Sequence, residues 1–350
     1  MFLKNCWYVA GWRDEIDDGR LLARTVLGEP LLLYRTEAGA PVALQDRCCH
    51  RGAPLSLGRR EGDCVRCLYH GLKFEPGGAC VEIPGQANVP PKARVRSWPV
   101  VERARWLWVW MGDPARADPA GIPDTHWLDD PQWRSLPGTM HYDVPHLAIA
   151  DNLLDFSHLP YVHPTTLGGS EQYAQERPLV ERLARGVRVT RWVMNIPPPP
   201  FVTQVAGWTG PVDRWNIYDF TVPGLLVMDS GSAPAGQGAR EGNRAGALQF
   251  HSCQALTPEA ASSTHYFFTQ PHDFALDQPA VTQAVHDIVK QAFAEDEHMI
   301  SAQQRNLALD PDFEMLPLAM DSALMHYRRV YAALLADEQA KAQARPAGTP

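Results

Sequence analysis

The sequence predicts an α+β protein of two domains, an all-β N-terminal domain followed by a mixed domain. Its 350 residues exceed the usual size of one domain, which is roughly 100–200 residues. The first 115 residues are rich in β-branched and aromatic side chains, and turn formers interrupt them at short intervals. The remainder contains longer segments with helical periodicity. Together these observations favour a small all-β unit joined to a larger unit that contains both helices and strands.

Short strands and tight turns account for the N-terminal part. Strands are predicted at 31–34, 41–44 and 106–110, with turns at 37–39 and 75–78. A run rich in Asp, Pro and Ala at 112–123 is typical of a linker. We therefore predict one domain at 1–115, a second at 116–340 and a flexible tail at 341–350.

Helices and strands both occur in the second part. Helical periodicity covers 151–162, strands are predicted in 187–195 and 215–228, and helices are predicted at 283–305 and 322–343. Pro- and Gly-rich loops are predicted at 195–200 and 233–246, a type of segment that often has a functional role.

Composition argues against several classes of function. Hydrophobic residues make up 45% and charged residues 21%, as in ordinary globular proteins. The net charge is −8, and no run of Lys or Arg supplies the basic face that nucleic acids require. No stretch approaches the ~18–20 apolar residues that span a bilayer, and the N-terminus lacks the features of a signal peptide. We expect a cytoplasmic protein with no nucleic-acid or membrane partner.

Four of the seven cysteines lie between positions 48 and 67, together with histidines at 50 and 70. In a reducing compartment, clustered cysteines are more often metal ligands or catalytic thiols than disulfides. The pattern is Cys48-x-His50, sixteen residues, then Cys67-x-x-His70. Such a set can hold zinc, or a Rieske-type [2Fe–2S] cluster in which two histidines replace two cysteines on one iron.

A second group of metal-ligand types opens the second part of the chain. His158 and His163 would point about 140° apart on an unbroken helix. Pro160 lies between them, and a proline ends or bends a helix, so both imidazoles can face one metal. Asp155 shares a face with His158 and can accept a hydrogen bond from the imidazole nitrogen that does not bind metal.

Helix geometry supplies a candidate third ligand. In the predicted helix 283–305 the apolar residues form one stripe, and Asp296 falls near its middle. Glu295 lies at the edge of the stripe, and Asp287 faces the other way. A buried aspartate must be paired or bind metal. Two histidines and one carboxylate are the ligand set of non-haem Fe(II) oxygenases.

The cysteine–histidine segments resemble the cluster loops of Rieske non-haem iron oxygenases. The matching motifs are Cys-x-His-Arg-x-Ala-Pro-Leu from position 48 and Cys-x-Tyr-His-Gly-x-x-Phe from position 67. The likeness spans nearly the whole chain and is greatest to the vanillate O-demethylase and toluenesulfonate methyl-monooxygenase group. Further runs that carry it are 5–10, 78–84, 98–103, 108–114, 164–168, 229–234 and 256–259.

The resemblance implies an all-β Rieske domain followed by a helix-grip (START-like) catalytic domain with an antiparallel sheet. It implies Cys48 and Cys67 on one iron and His50 and His70 on the other, with Cys49 and Cys64 as packing residues. The family also places an Asp ligand on a C-terminal helix, in agreement with Asp296. It implies a homotrimer in which Asp155 bridges His70 of one subunit and His158 of the next.

Two classes of function compete on this basis. The first is a terminal oxygenase that uses O2 to hydroxylate a methyl or methoxy group of a small aromatic acid; ring cis-dihydroxylation is the alternative within the enzymes. The second is an electron-transfer protein with only a Rieske cluster, which the predicted mononuclear Fe(II) site argues against. The chain has no dinucleotide fingerprint and no plant-type cysteine cluster. A separate flavin/ferredoxin-type reductase must therefore deliver electrons from NAD(P)H. Met228, His251, Gln254 and His265 are candidates for the pocket lining.

Overall fold

The structure is a computed structural model that describes residues 1–168 and 170–343. It divides into two compact units. The N-terminal unit contains residues 1–124 and 257–261, and the catalytic unit contains 125–256 and the described residues from 262 onward. The domain boundaries at 115 and 340 remain predictions. The last helix continues to Gln343, and the rest of the tail expected at 341–350 lies outside the described residues.

Eleven strands are described in the N-terminal unit, and they form three antiparallel sheets of order β1-β11-β10, β2-β3-β4-β9 and β5-β6-β7-β8. The predicted strands at 31–34, 41–44 and 106–110 are confirmed as β3, β4 and β11. The strands are β1 Trp7–Trp12, β2 Leu22–Val26, β3 Glu29–Arg35, β4 Pro41–Gln45, β5 Arg59–Glu61, β6 Cys64–Arg66, β7 Lys73–Phe74, β8 Cys80–Glu82, β9 Ser97–Trp98, β10 Val100–Arg103 and β11 Trp106–Trp110.

One hydrophobic core joins the second and third of these sheets and includes the two cysteines predicted as iron ligands. Leu32 and Tyr34 from β3 pack in the same cluster as Cys48, Cys67 and Phe74. The residues 31–34 are all fully buried, which explains why this strand is an uninterrupted apolar run. The cysteines are therefore anchored in a rigid core.

The catalytic unit is built on a seven-stranded antiparallel sheet of order β12-β18-β17-β16-β15-β14-β13. The strand predicted at 187–195 is confirmed, and the run 215–228 contains a hairpin whose turn lies at 222–224. The strands are β12 Gly138–Tyr142, β13 Leu179–Leu183, β14 Gly186–Ile196, β15 Val212–Thr221, β16 Leu225–Pro234, β17 Leu248–Ala260 and β18 Ser263–Thr269.

Helices complete this unit. The long helix and the last helix confirm the predictions at 283–305 and 322–343. The helices are α1 His146–Leu154, α2 Leu159–Val162, α3 Gln172–Gln175, α4 Pro200–Ala206, α5 Pro279–Leu309 and α6 Ser322–Gln343. Within the described ranges, none of them is both long enough and apolar enough to cross a membrane.

The prediction that Pro160 breaks the helix between the two histidines is wrong. The helical segment 151–162 is interrupted earlier, because α1 ends at Leu154 and a 3-10 turn covers Phe156–His158. Pro160 lies in the first turn of α2, where a proline is tolerated because the missing N–H would have no helical partner. The four-residue α2 thus separates His158 at its start from His163 at its end.

Candidate metal centres

Two loops of matching geometry carry the cysteine–histidine pairs of the N-terminal unit. In each loop the cysteine N–H, from Cys48 or Cys67, donates to the carbonyl five residues later at 2.8 Å. Gly52 and Gly71, four residues after each cysteine, donate back to the cysteine carbonyl at 2.9 and 3.0 Å. Both glycines have φ above +70°, a conformation that L side chains rarely adopt. The two loops therefore present their ligands in the same way.

The buried and exposed ligands of these loops suit a Rieske cluster. Cys48 and Cys67 are buried, whereas His50 and His70 are exposed with ring centroids 4.5 Å apart. Burial, with a contribution from Cys67, raises the pKa of Cys48 to about 11, so the thiol is protonated at neutral pH without metal. A bound metal deprotonates such a thiol outright. The set offers two thiolates inside and two imidazoles at the surface, which fits a cluster with one iron on each pair.

Cys49 differs from the packing role expected of it, whereas the packing role of Cys64 stays a prediction. All seven cysteines are free, and Cys49 is exposed while Cys64 is half-buried. Cys49 is therefore not a packing residue.

In the catalytic unit His158, His163 and Asp296 converge, and we call these residues the triad. One ligand atom from each lies within 4.8 Å of the others. Asp296 Oδ1 is 3.4 Å from His158 Nε2 and 3.1 Å from His163 Nε2. Asp296 lies among the buried residues of α5, as its predicted position in the apolar stripe required, while Glu295 is half-buried and Asp287 exposed.

Hydrogen bonds to Nδ1 fix both imidazoles of the triad. His158 Nδ1 lies 2.5 Å from the backbone carbonyl oxygen of Asp155, and His163 Nδ1 lies 2.8 Å from Glu295 Oε2. A carbonyl and a carboxylate can only accept, so each Nδ1 must carry the proton. Each Nε2 is then the ring nitrogen left to bind a metal at the centre of the triad, which is the arrangement of metal-ligating histidines.

Asp155 contacts His158 differently from the prediction. Its backbone carbonyl, and not its carboxylate, accepts from the imidazole. The carboxylate Oδ1 instead accepts from the backbone N–H of Ser157 at 2.9 Å and from its hydroxyl at 2.5 Å, and so caps the 3-10 turn. The backbone contact could not be read from side-chain spacing.

Sequence reasoning missed two side chains that support the triad. Glu295 accepts from the hydroxyl of Thr166 at 2.8 Å in addition to its contact with His163. Asn152 Nδ2 donates to Asp296 Oδ1 at 3.0 Å. The position of Glu295 at the edge of the apolar stripe was a usable signal, because it places the Glu295 side chain on the same side of the helix as the neighbouring Asp296. Asn152 lies far away in sequence and gave no such signal.

The electrostatics of the triad favour a bound cation. Burial raises the pKa of Asp296, but hydrogen bonds with His158 and His163 outweigh this effect and lower it to about 2. A buried carboxylate that stays ionised beside two Nε2 atoms is a donor set suited to iron, and the residues present fit that metal.

A cavity of about 830 Å³, including its open mouth, borders the triad. Its walls come from α5 and from β15, β16 and β17, and they include Met228 and Gln254 as predicted. His251 instead stacks on Trp127 at 4.0 Å, and His265 lies against His141 at 5.6 Å. The other lining residues are Asn152, Leu153, Phe156, Leu159, Leu167, Phe201, Val205, Arg214, Trp215, Asn216, Ser230, Gly231, Phe250, Ser252, Gln270, Val285, Ile288, Val289 and Phe293.

Comparison with known proteins agrees with both domains. Residues 6–99 match the Rieske [2Fe-2S] domain family, and residues 142–337 match the vanillate O-demethylase oxygenase C-terminal domain family. The toluene-4-sulfonate monooxygenase system iron-sulfur subunit of Comamonas testosteroni is 51% identical over 342 residues, which is 97% of this chain and 98% of the relative. A vanillate O-demethylase oxygenase subunit of Pseudomonas sp. strain HR199 is 36% identical over 354 residues, covering 98% of each chain.

Solved structures of dicamba monooxygenase share the whole fold. The complex with dicamba has a TM-score of 0.89 at 31% identity, and the form with non-heme iron and dicamba has a TM-score of 0.82 at 30% identity. Each covers 97% of this chain and 99% of its own. These relatives are monooxygenases, so they support the monooxygenase prediction over ring dihydroxylation. The chain belongs to the Rieske non-haem iron oxygenases, as the oxygenase component of a monooxygenase, with a Rieske [2Fe-2S] domain and a catalytic domain of the vanillate O-demethylase type.

Proposed function

We propose that the protein is the terminal oxygenase of a system that hydroxylates the methyl or methoxy carbon of a small aromatic acid. The observation that carries this proposal is that the triad lines a largely apolar cavity of about 830 Å³. Apolar and aromatic side chains supply most of its lining, as in other small-molecule sites, and such a lining favours an aromatic ring. Hydroxylation of a methoxy carbon yields a hemiacetal that releases formaldehyde, whereas a methyl group yields a benzylic alcohol.

The triad residues would hold a mononuclear Fe(II) with positions left open. Bound there, the iron would supply the binding and reduction of dioxygen. His158 and His163 keep their Nε2 atoms directed at one point because their Nδ1 protons are held by Asp155 and Glu295. The carboxylate of Asp296 stays ionised and so completes the ligand set.

The cavity walls orient the ring and exclude water. Ile288, Val289 and Phe293 from α5 and Phe250 from β17 all line the cavity. Such apolar side chains favour a flat aromatic ring and leave few hydrogen-bond partners for competing water. The substrate carbon that lies next to the triad is then the one that is oxidised.

We also propose that Cys48, Cys67, His50 and His70 bind the cluster that delivers electrons, and that the chain acts as a homotrimer. In this assembly one subunit's cluster would face the neighbour's triad, and Asp155 would bridge His70 to the neighbour's His158. The exposed histidines support an exit for electrons at the surface of the N-terminal unit. Among the described residues, Asp155 Oδ2 has no hydrogen-bond donor, which leaves it available to a partner.

An exposed apolar segment beside Asp155 supports such an interface. Leu309, Phe313 and Leu316 are 84%, 57% and 79% exposed, and Leu57 and Leu68 near the cluster loops are 72% and 57% exposed. The chain reaches the Asp155 region at Met320, four residues after Leu316, because Met320 Sδ lies 3.0 Å from the Ser157 hydroxyl oxygen. Exposed apolar patches of this kind mark interaction surfaces.

A separate flavin/ferredoxin-type reductase would supply the electrons from NAD(P)H. We place the protein in the cytoplasm, where free thiols such as Cys49 stay reduced.

Turnover with a surrogate reductase across a panel of aromatic acids tests the proposed function. The panel contains methyl- and methoxy-substituted benzoates and benzenesulfonates, each matched to the ring without the methyl or methoxy group. Formaldehyde or a benzylic alcohol is expected from the substituted members and no product from the matched rings. Oxidation of the ring itself in the unsubstituted members would contradict the proposal.

A further inference from the structure

Arg214 places a buried positive charge on the cavity wall. It lies on β15, is only 5% exposed, and faces the cavity together with Asn216 two residues later. Of the residues that line the cavity, Arg214 and Asp296 are the two with side chains ionised at every physiological pH. Since Asp296 belongs to the triad, Arg214 is the charge left to meet a bound molecule.

The guanidinium has no carboxylate partner within ion-pair distance among the described residues. It donates to the backbone carbonyls of Gly168 at 2.9 Å and Leu167 at 3.0 Å. Its remaining contacts are with aromatic faces, since its carbon lies 4.7 Å from the ring centroid of Tyr173 and 5.5 Å from that of Phe201. These contacts stabilise a cation but leave its charge uncompensated.

Two partly exposed arginines of the same unit are compensated. Arg188 on β14 pairs with Asp219 at 2.6 Å, and Arg244 pairs with Asp229 at 2.7 Å. Both pairs are partly exposed, whereas Arg214 is buried without such a partner. A buried charge is costly unless it is paired, so this site favours the arrival of an anion.

A second buried cation increases the positive potential at this end of the cavity. Arg191 on β14 is buried, and its guanidinium lies 4.9 Å from the centroid of the Tyr173 ring, which Arg214 also contacts. Burial and Arg191 both lower the pKa of Arg214, while Tyr173 acts in the opposite direction. The two like charges would each be relieved by an anion bound at Arg214.

A hydroxyl without a partner lies next to Arg214. Ser232 is directly opposite Arg214 in the β15–β16 register, so the two side chains share a face of the sheet. Ser232 is fully buried, and its Oγ has no hydrogen-bond partner within the described part of the chain. Ser232 is not among the residues that line the cavity, so its hydroxyl adds unused hydrogen-bond capacity beside the cation without itself facing a bound molecule.

Backbone hydrogen bonds connect Arg214 to the triad. Gly168, whose carbonyl accepts from Arg214, donates its own N–H to the carbonyl of His163 at 2.9 Å. Two consecutive hydrogen bonds thus connect the guanidinium to a triad residue. Arg214 and the triad also line the same cavity, so one bound molecule has access to both.

We propose that Arg214 is the specificity-determining residue of the site: its guanidinium binds the sulfonate or carboxylate of the aromatic substrate and so directs the opposite end of the ring toward the triad. The inference rests on the proposed function for the identity of the ring and for the carbon oxidised. The binding step itself does not depend on turnover. Arg suits this role because its planar fork matches either anion with two parallel hydrogen bonds.

Calorimetric binding to the iron-loaded holoenzyme tests the proposal without turnover. The probes are benzenesulfonate and benzoate, each compared with its neutral amide, benzenesulfonamide or benzamide. The wild-type protein should prefer at least one anion over its amide. Arg214→Gln should weaken binding of that anion by about 10–100-fold and leave the amide nearly unchanged, and Arg214→Lys should fall between them.

Arg191→Gln is the matched control. It removes a buried cation that contacts the same tyrosine, Tyr173, but Arg191 does not line the cavity. Visible absorption of the cluster and the thermal unfolding midpoint establish that each variant is folded. If Arg214→Gln does not fold, Arg214→Lys takes its place in the binding comparison. Three results would overturn the proposal. The Arg214 variants could weaken binding of the anion and the amide equally, the wild type could show no preference for the anion, or Arg191→Gln could lose the anion preference to the same extent. Failure of the proposed function would appear separately, as a wild-type protein that binds the anions but forms no hydroxylated product.

Discussion

Glu295 controls the orientation of His163, although Glu295 is not itself one of the proposed metal ligands. It accepts from His163 Nδ1 and from the Thr166 hydroxyl, so it fixes the orientation of the imidazole from two sides. We expect Glu295→Ala to weaken binding of the mononuclear iron by about 10–100-fold while the [2Fe–2S] cluster stays intact. Metal analysis after dialysis against a chelator, with the visible spectrum as a measure of the cluster, makes the comparison.

Asp287→Ala is the control for that variant, since Asp287 is an exposed acid on the same helix that contacts Gln283. It should retain iron at the wild-type level. Full iron retention in Glu295→Ala would show that the hydrogen bond to His163 has no effect on the metal.

Asp155 combines a structural contact with the bridging role that we propose. Asp155→Asn keeps an oxygen that can accept from Ser157, so iron and cluster should both be retained. Turnover should nevertheless fall sharply, because a neutral amide cannot replace a carboxylate between two imidazoles of adjacent subunits. Iron content and product formation are measured on the same preparation.

Ser157→Ala separates the two roles of Asp155. It removes the hydroxyl that donates to the Asp155 carboxylate but leaves the carboxylate in place. A loss of turnover in this variant equal to that of Asp155→Asn would assign the effect to the cap, and near-normal turnover in Asp155→Asn would reject the bridge.

Individual elements show where sequence reasoning succeeds. Regular periodicity identified α5 and the inward position of Asp296, because a helix of 31 residues fixes the direction of every side chain by its repeat. The four residues of α2 have no such repeat, so the path between His158 and His163 was assigned wrongly to a break at Pro160. Arg214, Asn152 and the Asp155 carbonyl escaped prediction because tertiary packing brings them to the site from separate elements.

The turn that follows α2 is an element whose shape is open to a direct test. Gly168 N–H closes it onto the carbonyl of His163, and a Cβ at Gly168 would lie 2.3 Å from that oxygen. Gly168→Ala should therefore displace the turn, lower stability by about 1–3 kcal/mol and weaken iron binding. Thermal unfolding and iron content report the two effects. Gly210→Ala is the control, since a Cβ there meets no atom within 4 Å, and equal behaviour of the two variants would contradict the prediction.

The whole molecule combines a cluster domain with a mononuclear site, and the metal content follows from that combination. Two irons in the Rieske cluster and one at the triad predict about three irons per chain and little zinc. The motif pattern on its own left zinc open, because the same four ligand types also form structural zinc sites. The purified protein should be red-brown with this stoichiometry, measured by elemental analysis. A colourless protein with stoichiometric zinc would contradict both site assignments.

The central claim is that this chain inserts one oxygen atom into a methyl or methoxy carbon, and labelled dioxygen tests it most directly. Turnover of a 4-methyl aromatic acid under ¹⁸O₂, with a surrogate reductase and NADH, is followed by mass spectrometry of the products. We predict a benzylic alcohol that carries one labelled oxygen atom, because an anion held at Arg214, as we propose, would leave the methyl end of the ring beside the triad. A ring cis-diol that carries two labelled atoms as the main product would contradict the account.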